Sequence, residues 1–100
     1  MSDATVPAVT HDAGASQFEL RTPSGTALLR YVLRGEALDL VHTEVPPAEE
    51  GRGLGTVLVE AALAYAREQK VQVIPSCPFV RHYFDEHPDQ GALVAGRSRP

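Results

Sequence analysis

Glu50-Gly51-Arg52-Gly53-Leu54-Gly55-Thr56 is the stretch that decides the fold. Its three glycines stand at alternate positions, so the backbone can bend sharply with no Cβ in the way. The hydrophobic period changes across it. Before it, Leu38, Leu40 and His42 alternate with Asp39, Val41 and Thr43, the two-residue repeat of a strand. Pro46-Pro47 ends that strand, because proline cannot donate to a ladder. After it, Leu54, Val57, Leu58, Ala61 and Tyr65 recur at helical spacing, with Thr56, Glu60 and Arg67 on the polar side. The helix is expected to run to about Gln69, followed by a short apolar strand over Val71–Ile74 that Pro75 stops. Strand, crossover helix and strand make a parallel βαβ unit.

Upstream, Phe18, Leu20 and Thr22 alternate with Glu19 and Arg21, and Pro23-Ser24-Gly25 forms a turn cluster. Ala27, Leu29, Tyr31 and Leu33 share a face opposite Arg30 and Arg34, and Gly35-Glu36 marks a second tight turn. Three strands joined by short turns predict an antiparallel meander. Downstream, Pro78 fits the first position of a second, shorter helix, whose apolar side is Phe79, Val80, Tyr83 and Phe84 and whose end is His87-Pro88. The expected class is α+β, a mixed, mainly antiparallel sheet with a long helix packed on it. Residues 18–95 form the domain. Residues 1–17, rich in Ala, Ser, Thr and Gly, read as a flexible tail, and 96–100 as another.

Composition narrows the function classes. At 100 residues and 43% hydrophobic content the chain can build one core, without room for a separate cofactor domain. A net charge of −4 denies nucleic acid a basic face. One cysteine, Cys77, excludes an internal disulfide. The apolar runs are too short to span a bilayer, and the N-terminus lacks the apolar core of a secretory signal, so a cytoplasmic location is expected. His82 and His87 are too few and too loosely spaced for a zinc site, and no metal is assigned.

At a strand-to-helix junction, the first amides of the helix lack partners and the helix dipole favours an anion. The glycine stretch therefore suits a phosphate or pyrophosphate, with Arg52 and Thr56 as added donors. A glycine-rich turn without a ligand is the alternative. The spacing is neither that of a P-loop nor of the dinucleotide fingerprint.

Gly53-Leu54-Gly55 after a proline-containing loop, with an amphipathic helix behind it, resembles the acetyl-CoA-binding motif of the GCN5-related (GNAT) N-acetyltransferases. The small stand-alone GNAT-like branch is the nearer match. Its blocks appear as His42-Thr43-Glu44-Val45, Gly51-Arg52-Gly53-Leu54-Gly55, Cys77-Pro78-Phe79-Val80, Tyr83 and His87-Pro88, across nearly all of the expected domain. One departure stands out: the family motif usually begins with Arg or Gln, where this chain has Glu50. A carboxylate there would repel a pyrophosphate, and Arg52 is the candidate to compensate. The resemblance implies acetyl-CoA bound through Thr43, Val45, Gly51, Arg52, Gly53, Leu54, Gly55 and Thr56. A Cβ on Gly55 is expected to fill space the pyrophosphate needs. The acceptor would be an amine on a small molecule or a protein, its site open because the chain has no room for capping N-terminal helices. A monomer or weak homodimer is expected.

Direct transfer needs a base for the ammonium proton and an acid for the leaving thiolate. Glu44 and His42 lie two apart on one strand face and are the base candidates. Tyr83 stands where the resemblance places the family's catalytic tyrosine. Cys77, at the cap position before Pro78, could feel the helix dipole as thiolate and serve as acid or acetyl acceptor. Each has a plainer alternative: a solvated carboxylate, a hydrogen-bonded histidine, a core tyrosine and an inert buried thiol. The competing functions are a CoA-binding module with little catalysis and a Cys77-dependent acyl carrier.

Overall fold

The computed structural model describes residues 9–95 of the chain. Five strands form one sheet in sequential order: β1 Val9–Asp12, β2 Gln17–Thr22, β3 Gly25–Arg34, β4 Ala37–Glu44 and β5 Gln72–Pro75. The first four pair antiparallel, and β5 joins β4 in parallel through the long helix α1, Leu54–Gln69. The shorter helix α2, Pro78–Glu86, packs on α1 and β5. The expected α+β class, mainly antiparallel sheet and two helices are all present.

The stretch expected as an N-terminal tail needs correction. Within residues 1–17, Val9–Asp12 is an edge strand paired with β2. Its anchor is His11, stacked on Phe18 with ring centroids 4.4 Å apart and sharing a 2.6 Å hydrogen bond with the Tyr31 hydroxyl. Tyr65 of α1 closes on the same imidazole edge-on at 4.5 Å. The turn that follows is held by Asp12, whose Oδ1 accepts the Ala15 N–H at 3.1 Å. A four-residue strand anchored by one histidine carries too little local periodicity to be read from sequence. The remainder of that tail and residues 96–100 lie outside the described residues.

α1 lies across one face of the sheet. Leu58, Val59, Ala62, Leu63 and Ala66 bury against Phe18, Leu20, Ala27, Leu29, Leu38, Leu40 and Val73. Burying each large aliphatic side chain contributes roughly 1.5–3 kcal/mol. Ala62 and Ala66 let the helix axis approach closely. Val80, Tyr83 and Phe84 extend this core under α2. Phe79 departs from the expected apolar side: it is 40% exposed.

A second correction concerns β4. Arg30 pairs with His42, yet the next residue, Tyr31, pairs with Leu40, so Val41 is an extra residue opposite β3. This β-bulge inverts the alternation. Leu38 and Leu40 are fully buried on the α1 side, whereas His42 and Glu44 emerge, exposed, on the opposite face. Thr43 and Val45 turn inward in their place.

Candidate functional site

The parallel ladder between β4 and β5 is short. It runs from Ala37↔Gln72 to Leu40↔Pro75, and the Cys77 N–H then donates to Leu40 O at 2.9 Å. Beyond that point β4 continues to Glu44 bordered by β3 alone, because Pro75 and the start of α2 turn away. The two strands splay, and a cavity of about 440 Å³ opens between β4, the loop before α1 and α2.

Its wall contains Thr43, Val45, Gly51, Gly53, Leu54, Gly55 and Thr56, every expected cofactor-binding residue except Arg52. The glycines serve two different purposes. Gly51 and Gly53 have φ of +85° and +78°, which L side chains rarely adopt, and open space lies where a Cβ would be. Gly53 is the N-cap of α1, and no side chain caps that end. The first helical backbone bond runs from the Val57 N–H to Gly53 O, so the amides at the start of α1 are left for an outside acceptor. Gly55 is ordinary helix, but a Cβ there would stand 2.6 Å from Phe79 Cζ. The space that Gly55 leaves open is filled by the protein's own ring, not by room for a pyrophosphate.

Three wall residues were not among the expected binding set. Phe79 and Glu49 join the flagged Glu50 in lining the cavity. Phe79 supplies an apolar wall with Leu54 and Val45. Glu49 is a buried carboxylate whose Oε2 accepts the Ser24 hydroxyl at 3.0 Å. Arg52 Nε stands 3.7 Å from its Oε1. The motif's one cation thus lies beside an internal anion three residues before it in the chain.

The catalytic candidates fall into separate places. His42 Nε2 and Glu44 Oε2 meet at 2.8 Å on the open face of the sheet, opposite Arg30. The thiol of Cys77 is buried, 6% exposed, with Thr43 Oγ1 at 3.4 Å. It lies behind Thr43 rather than in the cavity wall, and its side chain makes no cap hydrogen bond to α2. Tyr83 joins neither group. Its hydroxyl donates to Glu60 Oε2 at 3.3 Å, and its ring stacks on His87 with centroids 4.1 Å apart. It lines a second cavity of about 180 Å³ with Glu60, Leu63, Arg67 and Gln90. Burial first, then the Glu60 charge and hydrogen bond, raise its pKa above the ordinary 10.0, so the phenol stays protonated at neutral pH. Among the described residues, no group of three His, Cys, Asp or Glu side chains could hold a metal ion. None of their helices is long and apolar enough to cross a membrane.

A family model described as GCN5-related N-acetyl-transferase matches residues 17–93. The chain belongs to the GNAT family. Protein NATD1 of Mus musculus and of Homo sapiens are each 36% identical over 83 residues, covering 80% of this chain and 76% and 74% of theirs. The NMR solution structure of a GCN5-like protein from Staphylococcus aureus shares the fold. Its TM-score is 0.72, it covers 92% of this chain and 91% of its own, and its identity is 21%. Strand β1 precedes the span that the GNAT family model matches.

Proposed function

We propose that this GNAT protein transfers an acetyl group from acetyl-CoA to an amine. The observation that carries the reading is the splay of β4 from β5 beyond Leu40, opening directly onto the uncapped start of α1. A donor with a diphosphate at one end and an extended amide-bearing arm suits that shape. The α1 amides and the helix dipole would hold the diphosphate. The free edge of β4 at Thr43–Val45 would pair with the arm, against Phe79 and Leu54.

The attacking group is a neutral amine, whose lone pair forms the new N–C bond while the C–S bond breaks. The His42–Glu44 pair, whose side chains meet at 2.8 Å, would take the ammonium proton. The proton taken from the amine balances the one the released thiolate needs, and solvent in the open cavity would carry it there; Tyr83 is not the donor, because its hydroxyl is committed to Glu60. The His42–Glu44 face is uncovered, which would admit an amine on a large molecule. A CoA-binding module with little turnover is the second reading, favoured by Glu49 and Glu50 in the wall of a site meant for an anion.

Calorimetry with CoA and thiol release from acetyl-CoA with a panel of amines test both. Binding with amine-dependent thiol release is expected. Binding without release selects the second reading, and no heat or thermal shift at millimolar CoA overturns both. Intact-protein mass after acetyl-CoA treatment tests the carrier role, where one added acetyl group on Cys77 would replace direct transfer.

A further inference from the structure

A turn remote from the glycine motif touches one residue of the cavity wall, Glu49. Thr22–Gly25, between β2 and β3, is braced by its own side chain: Thr22 Oγ1 accepts the Ser24 N–H at 3.3 Å and donates to Gly25 O at 3.0 Å. The turn packs on the loop leading to α1, where a Cβ on Gly25 would lie 3.4 Å from Pro46 Cγ. From this braced position the Ser24 hydroxyl donates to Glu49 Oε2 at 3.0 Å. Glu49 is 7% exposed and forms part of the cavity wall. Its Oε1 is 3.7 Å from Arg52 Nε, near the outer limit of an ion pair, and Arg52 is largely exposed.

A buried carboxylate must be satisfied by donors, and a charge left short of them draws in the nearest cation. Among the described residues, Ser24 and Arg52 are the side-chain donors found beside Glu49. While the hydroxyl holds Oε2, Glu49 gains little by pulling the guanidinium closer. Without it, the carboxylate would recruit Arg52 and place its own charge against the incoming phosphates. We infer that Ser24 is a positioning residue for the donor site, holding Glu49 so that Arg52 remains available to the phosphates of CoA. This rests on the donor reading above.

The test is a double-mutant cycle read by CoA affinity and by the KM and kcat for acetyl-CoA. Ser24→Ala is expected to weaken CoA binding by about 3- to 10-fold, the scale of one ordinary hydrogen bond, because the effect on the phosphates is indirect. kcat at saturating donor should not change. Ser24→Thr, which keeps the hydroxyl, should restore affinity. Glu49→Gln keeps an acceptor for Ser24 but removes the charge that competes for Arg52, so it should tighten CoA by about 2- to 5-fold, as expected for one partly screened ion pair. In the Glu49→Gln background, Ser24→Ala should then have little effect, because neighbours in one network are not additive. Pantetheine, which lacks the phosphates, should bind wild type and Ser24→Ala alike.

Equal losses from Ser24→Ala in both backgrounds, or equal losses for pantetheine and CoA, would reduce Ser24 to a structural brace and overturn the inference. So would unchanged CoA affinity in Ser24→Ala. Failure of the wild type to bind CoA at all overturns the donor reading instead, and this inference with it.

Discussion

Gly55→Ala separates the two explanations of that glycine. If the phosphate needed the space, stability would rise and affinity would collapse whatever Phe79 did. The structure predicts another pattern. Alanine in a helix is worth about 0.5–1 kcal/mol over glycine. Against that gain, the new Cβ would stand 2.6 Å from Phe79 Cζ, 2.8 Å from Cε2 and 3.3 Å from Cε1, so the ring must move. Phe79 is partly exposed and can swing, at about 0.5–1.5 kcal/mol for an off-rotamer side chain and lost contact. The two terms nearly cancel, and the net change in stability should stay below about 1 kcal/mol. CoA affinity should fall several-fold, because the displaced ring is part of the cavity wall. In a Phe79→Ala background the collision is gone. There Gly55→Ala should stabilise by the full helical gain, a rise in Tm of about 2–8 °C for a domain this size. Thermal unfolding followed by circular dichroism measures both cycles, and calorimetry the affinity. A loss above about 2 kcal/mol that is the same with and without the Phe79 ring would refute the reasoning, since the obstruction would then lie elsewhere.

Arg34→Met should cost about 1–2 kcal/mol in urea unfolding. Asp39 is 4% exposed, takes Arg34 Nε at 2.7 Å on Oδ2, and finds no partner for Oδ1 among the described residues. A simultaneous Asp39→Leu should recover much of that loss. Tyr31 and Tyr83 both have pKa values raised above 10.0, chiefly by burial. Their stabilisation is therefore complete below the unfolded value and disappears as pH rises past it, so stability should decline above about pH 10 and decline less in Tyr31→Phe/Tyr83→Phe. Cys77, buried behind Thr43, should react with iodoacetamide more slowly than glutathione in the folded protein and rapidly in urea. Fast native alkylation blocked by CoA would instead show a thiol open to the donor site.

The secondary structure from β2 to α2 was legible in sequence because two signals reinforce each other there. Alternation marks the strands, helical spacing marks α1, and prolines and glycines punctuate both. The glycine motif was legible for a related reason: positive φ at Gly51 and Gly53 is a local backbone demand that only glycine meets cheaply. Strand β1 was not legible, because it is secured by packing of His11 against Phe18, Tyr31 and Tyr65, which are distant in the chain. The two-apart spacing of His42 and Glu44 correctly put them on one face, but which face depended on the Val41 bulge.

The chain by itself therefore settled the order of elements from β2 onward, the α+β class, the break between β4 and α1, and the place of the glycine turn before α1. Each is a consequence of neighbouring residues, through periodicity, φ preference or a missing N–H. Only the tertiary structure placed Phe79 over Gly55, Ser24 beside Glu49, Cys77 behind Thr43, and Tyr83 with Glu60 instead of the His42–Glu44 pair. Most of these contacts join separate strands, helices and loops. They are fixed by how α1 and α2 settle on a twisted, bulged sheet, a packing outcome that no local pattern encodes.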